Sequence, residues 1–183
     1  MGSDWLSEAK AVDAAVYGAI AASKTPQLDV AMRRLTSAAD HSKLWFGAAA
    51  GIGLLGGRRG RRAAVRGLAS LGLASAFANL VAKPLTTRRR PERQELEELA
   101  SRHVPMPRSS SFPSGHTASA FAFATGAGAA EPALSAPLRA LATLVGYSRV
   151  HTGVHYPADA LVGAFIGVSA AELAGRLLDR RAR

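Results

Sequence analysis

The 183-residue chain contains no cysteine, which excludes a disulfide framework, a thiolate-ligated zinc and a thiol nucleophile. Aromatic residues make up only 6%, and alanine carries much of the 48% that is apolar, with 18 glycines besides. That is the composition of closely packed helices, not of a β-sandwich rich in Val, Ile and aromatics. Acidic residues are scarce too: 13 Asp and Glu face 23 Lys and Arg, a formal charge of +10. Such a balance points to an anionic partner, whether nucleic acid, an anionic membrane surface or a phosphorylated substrate. No unbroken apolar run reaches the 20 or so residues of a simple membrane span. Met1 to Ala9 carries Asp4 and Glu8 where a basic segment followed by an apolar one would be needed, so no signal peptide is expected.

What is present is a set of short apolar segments at helical spacing. Trp5, Val12, Val16 and Ile20 predict one amphipathic helix, and Leu28, Met32 and Leu35 after Pro26 a second, so residues 1–42 read as an N-terminal amphipathic helical region. Five apolar stretches follow in a core expected over residues 43–183: 44–57, 63–82 (interrupted by Arg66), 117–130, 140–148 and 160–171. Runs this short also suit the core of a soluble bundle. Aromatic Trp45, Tyr147 and Tyr156 near segment ends, basic residues at the boundaries and Gly/Ala-rich interiors favour instead an all-α, membrane-embedded antiparallel bundle of five to six helices, with the amphipathic helices added to it. GGRRGRR (56–62) and AEPALSAP (130–137) read as turns. In the longest connection, Pro84 to Phe112, Pro91 followed by Glu92, Glu95, Glu97 and Glu98 suggests a short surface helix. There is no internal repeat.

Alternating the direction of successive helices has a chemical consequence. Lys83 ends the second stretch, His116 opens the third, Arg149 ends the fourth and Asp159 opens the fifth, so all four meet at one end of the bundle, with Arg90 in the loop between the first two. Within PSGH (113–116), Ser114 suits a helix N-cap and Gly115 lets the free N–H groups of the opening helix approach an anion; an ordinary turn-and-cap would read the same way. In SRVHTGVHYPAD (148–159), Arg149 offers a planar fork for phosphate, and Asp159, four residues after His155, can fix one imidazole nitrogen and leave the other nucleophilic. His151, His155 and Asp159 at i, i+4, i+8 also resemble a metal-binding face, but Pro157 interrupts a single regular helix there. His151 reads as a packed residue, Arg88 and Arg89 as surface or headgroup contacts, and His41 and His103 have no identifiable partner.

Taken together, Lys83-x6-Arg90-Pro91, Pro113-Ser114-Gly115-His116 and Ser148-Arg149-x5-His155-x3-Asp159 resemble the complete three-part signature of the type 2 phosphatidic acid phosphatase (PAP2) superfamily, in its membrane lipid phosphatase branch. The superfamily also contains the vanadium haloperoxidases. The resemblance implies a phosphatase acting on a membrane lipid phosphate (a polyprenyl phosphate or diphosphate, a phosphatidic acid or a prenyl-linked sugar phosphate) with no metal and no other cofactor. It implies that His155 is the nucleophile, forming a phosphohistidine, Asp159 its orienting carboxylate and His116 the general acid. Lys83, Arg90, Arg149 and the Ser114 and Gly115 amides would form the phosphate cradle. A haloperoxidase, or a non-enzymatic basic protein binding membrane or nucleic acid, are the alternatives. A basic stripe interleaved with aromatics is missing, so no nucleic-acid partner is expected. With GGRRGRR and RLLDRRAR at the far end, the positive-inside rule puts the site at the non-cytoplasmic face of a bacterial-type cell membrane.

Overall fold

The computed structural model describes residues 4–93 and 101–181. Seven α-helices account for most of them: α1 (Asp4–Ala22), α2 (Pro26–Ala39), α3 (Lys43–Leu55), α4 (Gly57–Ala76), α5 (Gly115–Ala130), α6 (Ser135–His151) and α7 (Pro157–Arg181). There is no strand among the described residues. The surface helix expected after Pro91 falls largely on residues 94–100, outside the described ones.

The bundle is built around α5, which packs against α4, α6 and α7 and is buried along nearly its whole length. Only small side chains permit that. Across α7 the usual globular pattern is reversed. Ala170, Ala171 and Ala174 are buried, while Leu161, Phe165, Leu173 and Leu177, spaced in multiples of four, project outward. A Cβ on Gly163 would lie 2.5 Å from the Ser114 carbonyl oxygen, and one on Gly167 would lie 2.4 Å from that of Ala118, so α7 and α5 touch backbone to backbone. Small residues four apart that allow such contact, with large apolar ones facing away, are the signature of helices packed in lipid. Two helices, Gly57–Ala82 and Pro157–Arg180, are long and apolar enough to cross a membrane.

The turn between α3 and α4 is shorter than expected. GGRRGRR was expected to be loop throughout, but the reversal is completed at Gly56 and Gly57, the latter at φ +57°, and Arg58 to Arg62 lie in the first turns of α4. Glycine supplies the left-handed conformation without steric cost, so no further loop is required. At the other end α4 continues through a π-helical segment, Phe77–Ala82, and delivers Lys83.

α1 turns its apolar face outward. Trp5, Val12 and Val16 are exposed, and the residue α1 buries is Asp13. The reason is electrostatic: Asp13 accepts the Ala158 N–H at 2.8 Å, satisfying a free donor at the start of α7, and pairs with Arg88. Its apolar face is left for the surroundings.

Candidate active site

The four chain segments that the alternating topology brings to one end do meet there. Ser114 caps α5, accepting from the Thr117 N–H and hydroxyl, and its own N–H donates to the Asp159 carbonyl at 3.0 Å, which ties the start of α5 to the start of α7. The end of α6 turns sharply into the next loop because the Val154 and His155 N–H groups both return to the Arg149 carbonyl, at 3.1 and 3.2 Å. His155 is thereby held beneath the surface, 2% exposed.

Two groups flank the His155 ring. Arg90 reaches in from the long loop, donating to the Val154 carbonyl at 2.6 Å, with the same nitrogen 3.4 Å from His155 Nε2. On the other side Asp159 Oδ2 lies 3.5 Å from Nδ1, an ion-pair distance without hydrogen-bond alignment, so Nδ1 has no hydrogen-bond partner among the described residues. Such contacts are often loose in a substrate-free site and tighten on binding. Burial pushes the His155 pKa down to about 4, with Arg149 and Arg90 adding to the effect against the opposing pull of Asp159. The imidazole is therefore neutral near pH 7, the state a nitrogen nucleophile needs.

Asp159 is itself fully buried and heavily engaged. Oδ1 accepts from Arg88 Nη1 at 2.8 Å, and Oδ2 accepts from the Tyr156 N–H at 2.9 Å and from the Ser111 hydroxyl. Arg88 is thus no surface contact, which corrects its reading from the sequence. It bridges Asp159 and Asp13 and stacks over Tyr156, 4.5 Å from the ring centre. Consecutive arginines look alike in sequence, and only the fold shows which one turns inward.

Lys83 and His116 line a cavity of about 190 Å³ together with Gly115, His41, Ser42, Trp45, Asn79 and others. Lys83 Nζ donates to Asn79 Oδ1 at 2.9 Å, and Asn79 is carried by the π-helical segment, so that irregular turn aims the ammonium. Burial, then the neighbouring charges of Arg90 and Arg149, lowers the Lys83 pKa. Arg149 is 3% exposed and donates through Nη1 to the Thr36 hydroxyl, while its Nε–H has no protein partner among the described residues.

His151 stands apart from these groups. Its Nε2 meets Asp29 Oδ1 at 2.7 Å, and Arg102, also buried, pairs with the same carboxylate oxygen at 3.0 Å, so the cluster locks α2 and the described part of the long loop to α6. No group of three or more His, Asp or Glu able to hold a metal occurs among the described residues, and the i, i+4, i+8 alternative has no cluster behind it. Thr36, Asn79 and Ser111 contact site residues without belonging to any motif, and Asp13 reaches Asp159 through Arg88.

Residues 63–183, about two thirds of the chain, match the profile of the PAP2 superfamily. The chain belongs to that superfamily. Its fold is similar to that of the crystal structure of Aquifex aeolicus LpxE, with a TM-score of 0.72 and 26% identity over 88% of this chain and 93% of that one. It is also similar to the transmembrane PAP2 type phosphatidylglycerolphosphate phosphatase from Bacillus subtilis, with a TM-score of 0.71 and 23% identity over 94% of this chain and 87% of that one. No curated protein matches the sequence. The protein is a PAP2-type phosphatase built as a membrane-embedded antiparallel helix bundle, as its motifs and apolar patterning predict. A purely binding role is superseded.

Proposed function

We propose that this PAP2 phosphatase hydrolyses a membrane lipid phosphate through a phosphohistidine on His155, without a metal. The observation that carries the reading is the setting of His155: buried, neutral, bounded by Asp159 on one nitrogen and by Arg90 on the other. In the first step Nε2 attacks phosphorus, the ester P–O bond breaks and His116 gives its proton to the departing alkoxide. In the second, His116 takes a proton from water, the water oxygen attacks phosphorus, and the P–N bond breaks to release inorganic phosphate. Lys83, Arg90, Arg149 with its unpaired Nε–H, and the amides at the start of α5 stabilise the charge on the equatorial oxygens. The cavity beside His116 and Lys83 accommodates the leaving side of the substrate, and the outward apolar stripe of α7 keeps the bundle in the lipid that contains it. The chemistry fits a polyprenyl phosphate or diphosphate, a phosphatidic acid or a prenyl-linked sugar phosphate.

The experiment is phosphate release from micellar lipid phosphates by the purified protein. Activity should persist in EDTA and fall with low concentrations of vanadate, which adopts the five-coordinate geometry of the transferring phosphoryl group. Loss on chelation that a divalent metal restores would overturn the mechanism. Arg58, Arg59, Arg61 and Arg62 at the start of α4 and Arg176 and Arg180 near the end of α7 lie opposite the site, and the positive-inside rule then supports a site at the non-cytoplasmic face of a cell membrane. An impermeant substrate should then be turned over by intact cells as fast as by lysed ones; turnover only after lysis would reverse the orientation.

A further inference from the structure

Asp40 belongs to none of the three motifs and precedes the family match at residues 63–183, yet its carboxylate reaches the site. It sits in the tight turn Asp40–Ser42 between α2 and α3, where His41 and Ser42 hold φ of +54° and +60°. Consecutive non-glycine residues in the left-handed region are sterically unfavourable and persist where surrounding structure fixes them, often at functional sites. Here the turn fixes a carboxylate. Asp40 Oδ1 lies 2.8 Å from His116 Nε2 and 3.9 Å from Arg149 Nη1. Thr36, one helical turn earlier, holds the same Arg149 nitrogen, so the end of α2 engages an acid candidate and a cradle cation together.

The charges around His116 give this contact its meaning. Lys83 from the end of α4 lines the same cavity, as does His41 from the turn, and Arg149 approaches from α6. Burial lowers the His116 pKa, and the fixed cations Arg149 and Lys83 lower it further, against the opposing pull of the Asp40 contact. Asp40 is the carboxylate in contact with the ring, and the hydrogen bond from His116 is the main influence holding the Asp40 pKa below its usual value.

We propose that Asp40 is the positioning residue for the leaving-group acid: its carboxylate fixes the His116 ring and favours its protonated form against the nearby cations. This rests on reading His116 as that acid. As the ester P–O bond breaks, the imidazolium passes one proton to the departing oxygen and becomes neutral. Water returns a proton in the second step, and Asp40 stays ionised throughout.

The test uses Asp40→Asn and Asp40→Glu in the full-length protein in detergent, with His116→Ala as the reference. Two substrates are compared: an alkyl lipid phosphate, whose leaving oxygen needs a proton, and p-nitrophenyl phosphate, whose leaving group does not. Asp40→Asn should lower kcat on the alkyl substrate by about 10- to 100-fold, with a loss at least several-fold smaller on the aryl one and little change in KM. The basic limb of its pH profile should move down by about one unit, because an opposite charge of this kind raises a pKa by roughly 1–3 units. Asp40→Glu should recover much of the rate. Equal losses on both substrates with an unmoved basic limb, or no loss at all, would overturn the proposal while His116→Ala still discriminates between the leaving groups. If His116→Ala itself shows no dependence on the leaving group, the acid reading fails and this proposal with it.

Discussion

His155→Ala should reduce turnover to background, whatever the leaving group. Other parts of the cradle can be lost one at a time and leave some stabilisation of the transferring phosphoryl group, but the atom that forms the bond to phosphorus has no substitute. The variant should still fold. Removing a buried imidazole costs some packing, about 1–3 kcal/mol by the usual range for core truncations of this size, and that is visible as a lowered Tm. It does not account for loss of all turnover. The check is phosphate release together with trapping of labelled phosphoprotein in an alkaline denaturing quench: wild type should give a base-stable, acid-labile adduct and the variant none. Full activity in a purified His155→Ala protein would end the assignment of the nucleophile.

Asp159→Asn should produce the second largest loss, a fall in kcat of roughly 10³- to 10⁴-fold, by analogy with the same change beside a catalytic histidine in a serine protease. In the proposed mechanism the carboxylate stabilises the positive charge that builds on His155 as phosphate is transferred, and a neutral amide would not. Some stability should be lost as well. Three donors converge on the two oxygens of Asp159, from Arg88, the Tyr156 N–H and Ser111, so an Asn must turn its NH₂ towards at least one of them. An unmatched buried donor of this kind costs about 1–3 kcal/mol. Measuring kcat well below the variant's Tm separates the two effects. Near-normal kcat in a folded Asp159→Asn protein would leave Asp159 as a structural charge and dissolve the proposed pair.

Most of this architecture was legible in the residues. Apolar segments bounded by charge marked the helices, and reversing direction at each connection was enough to place Lys83, His116, Arg149 and Asp159 at one end. The π-helical segment before Lys83 escaped notice because Phe77–Ala82 has the composition of an ordinary apolar helix. The partners of Arg88 and His116 escaped for a different reason. Asp13 and Asp40 lie 75 and 76 residues away from them in the chain, and no local spacing encodes a contact at that range. One signal was available: in so basic a chain, Asp4, Glu8, Asp13, Asp29 and Asp40 fall within the first 40 residues, and three of them turn up against buried or half-buried cations and histidines. What covers the apolar face of α1 was not legible for a related reason. Its apolar residues have helical spacing, but periodicity gives the face without saying whether protein or lipid covers it.

The counter-charges brought by α1 and α2 separate two boundaries that are easily taken as one. The family profile begins at residue 63. The counter-charges that reach the site extend back to Asp13. Carboxylates from outside the profile are therefore what let so many arginines crowd one end of the bundle.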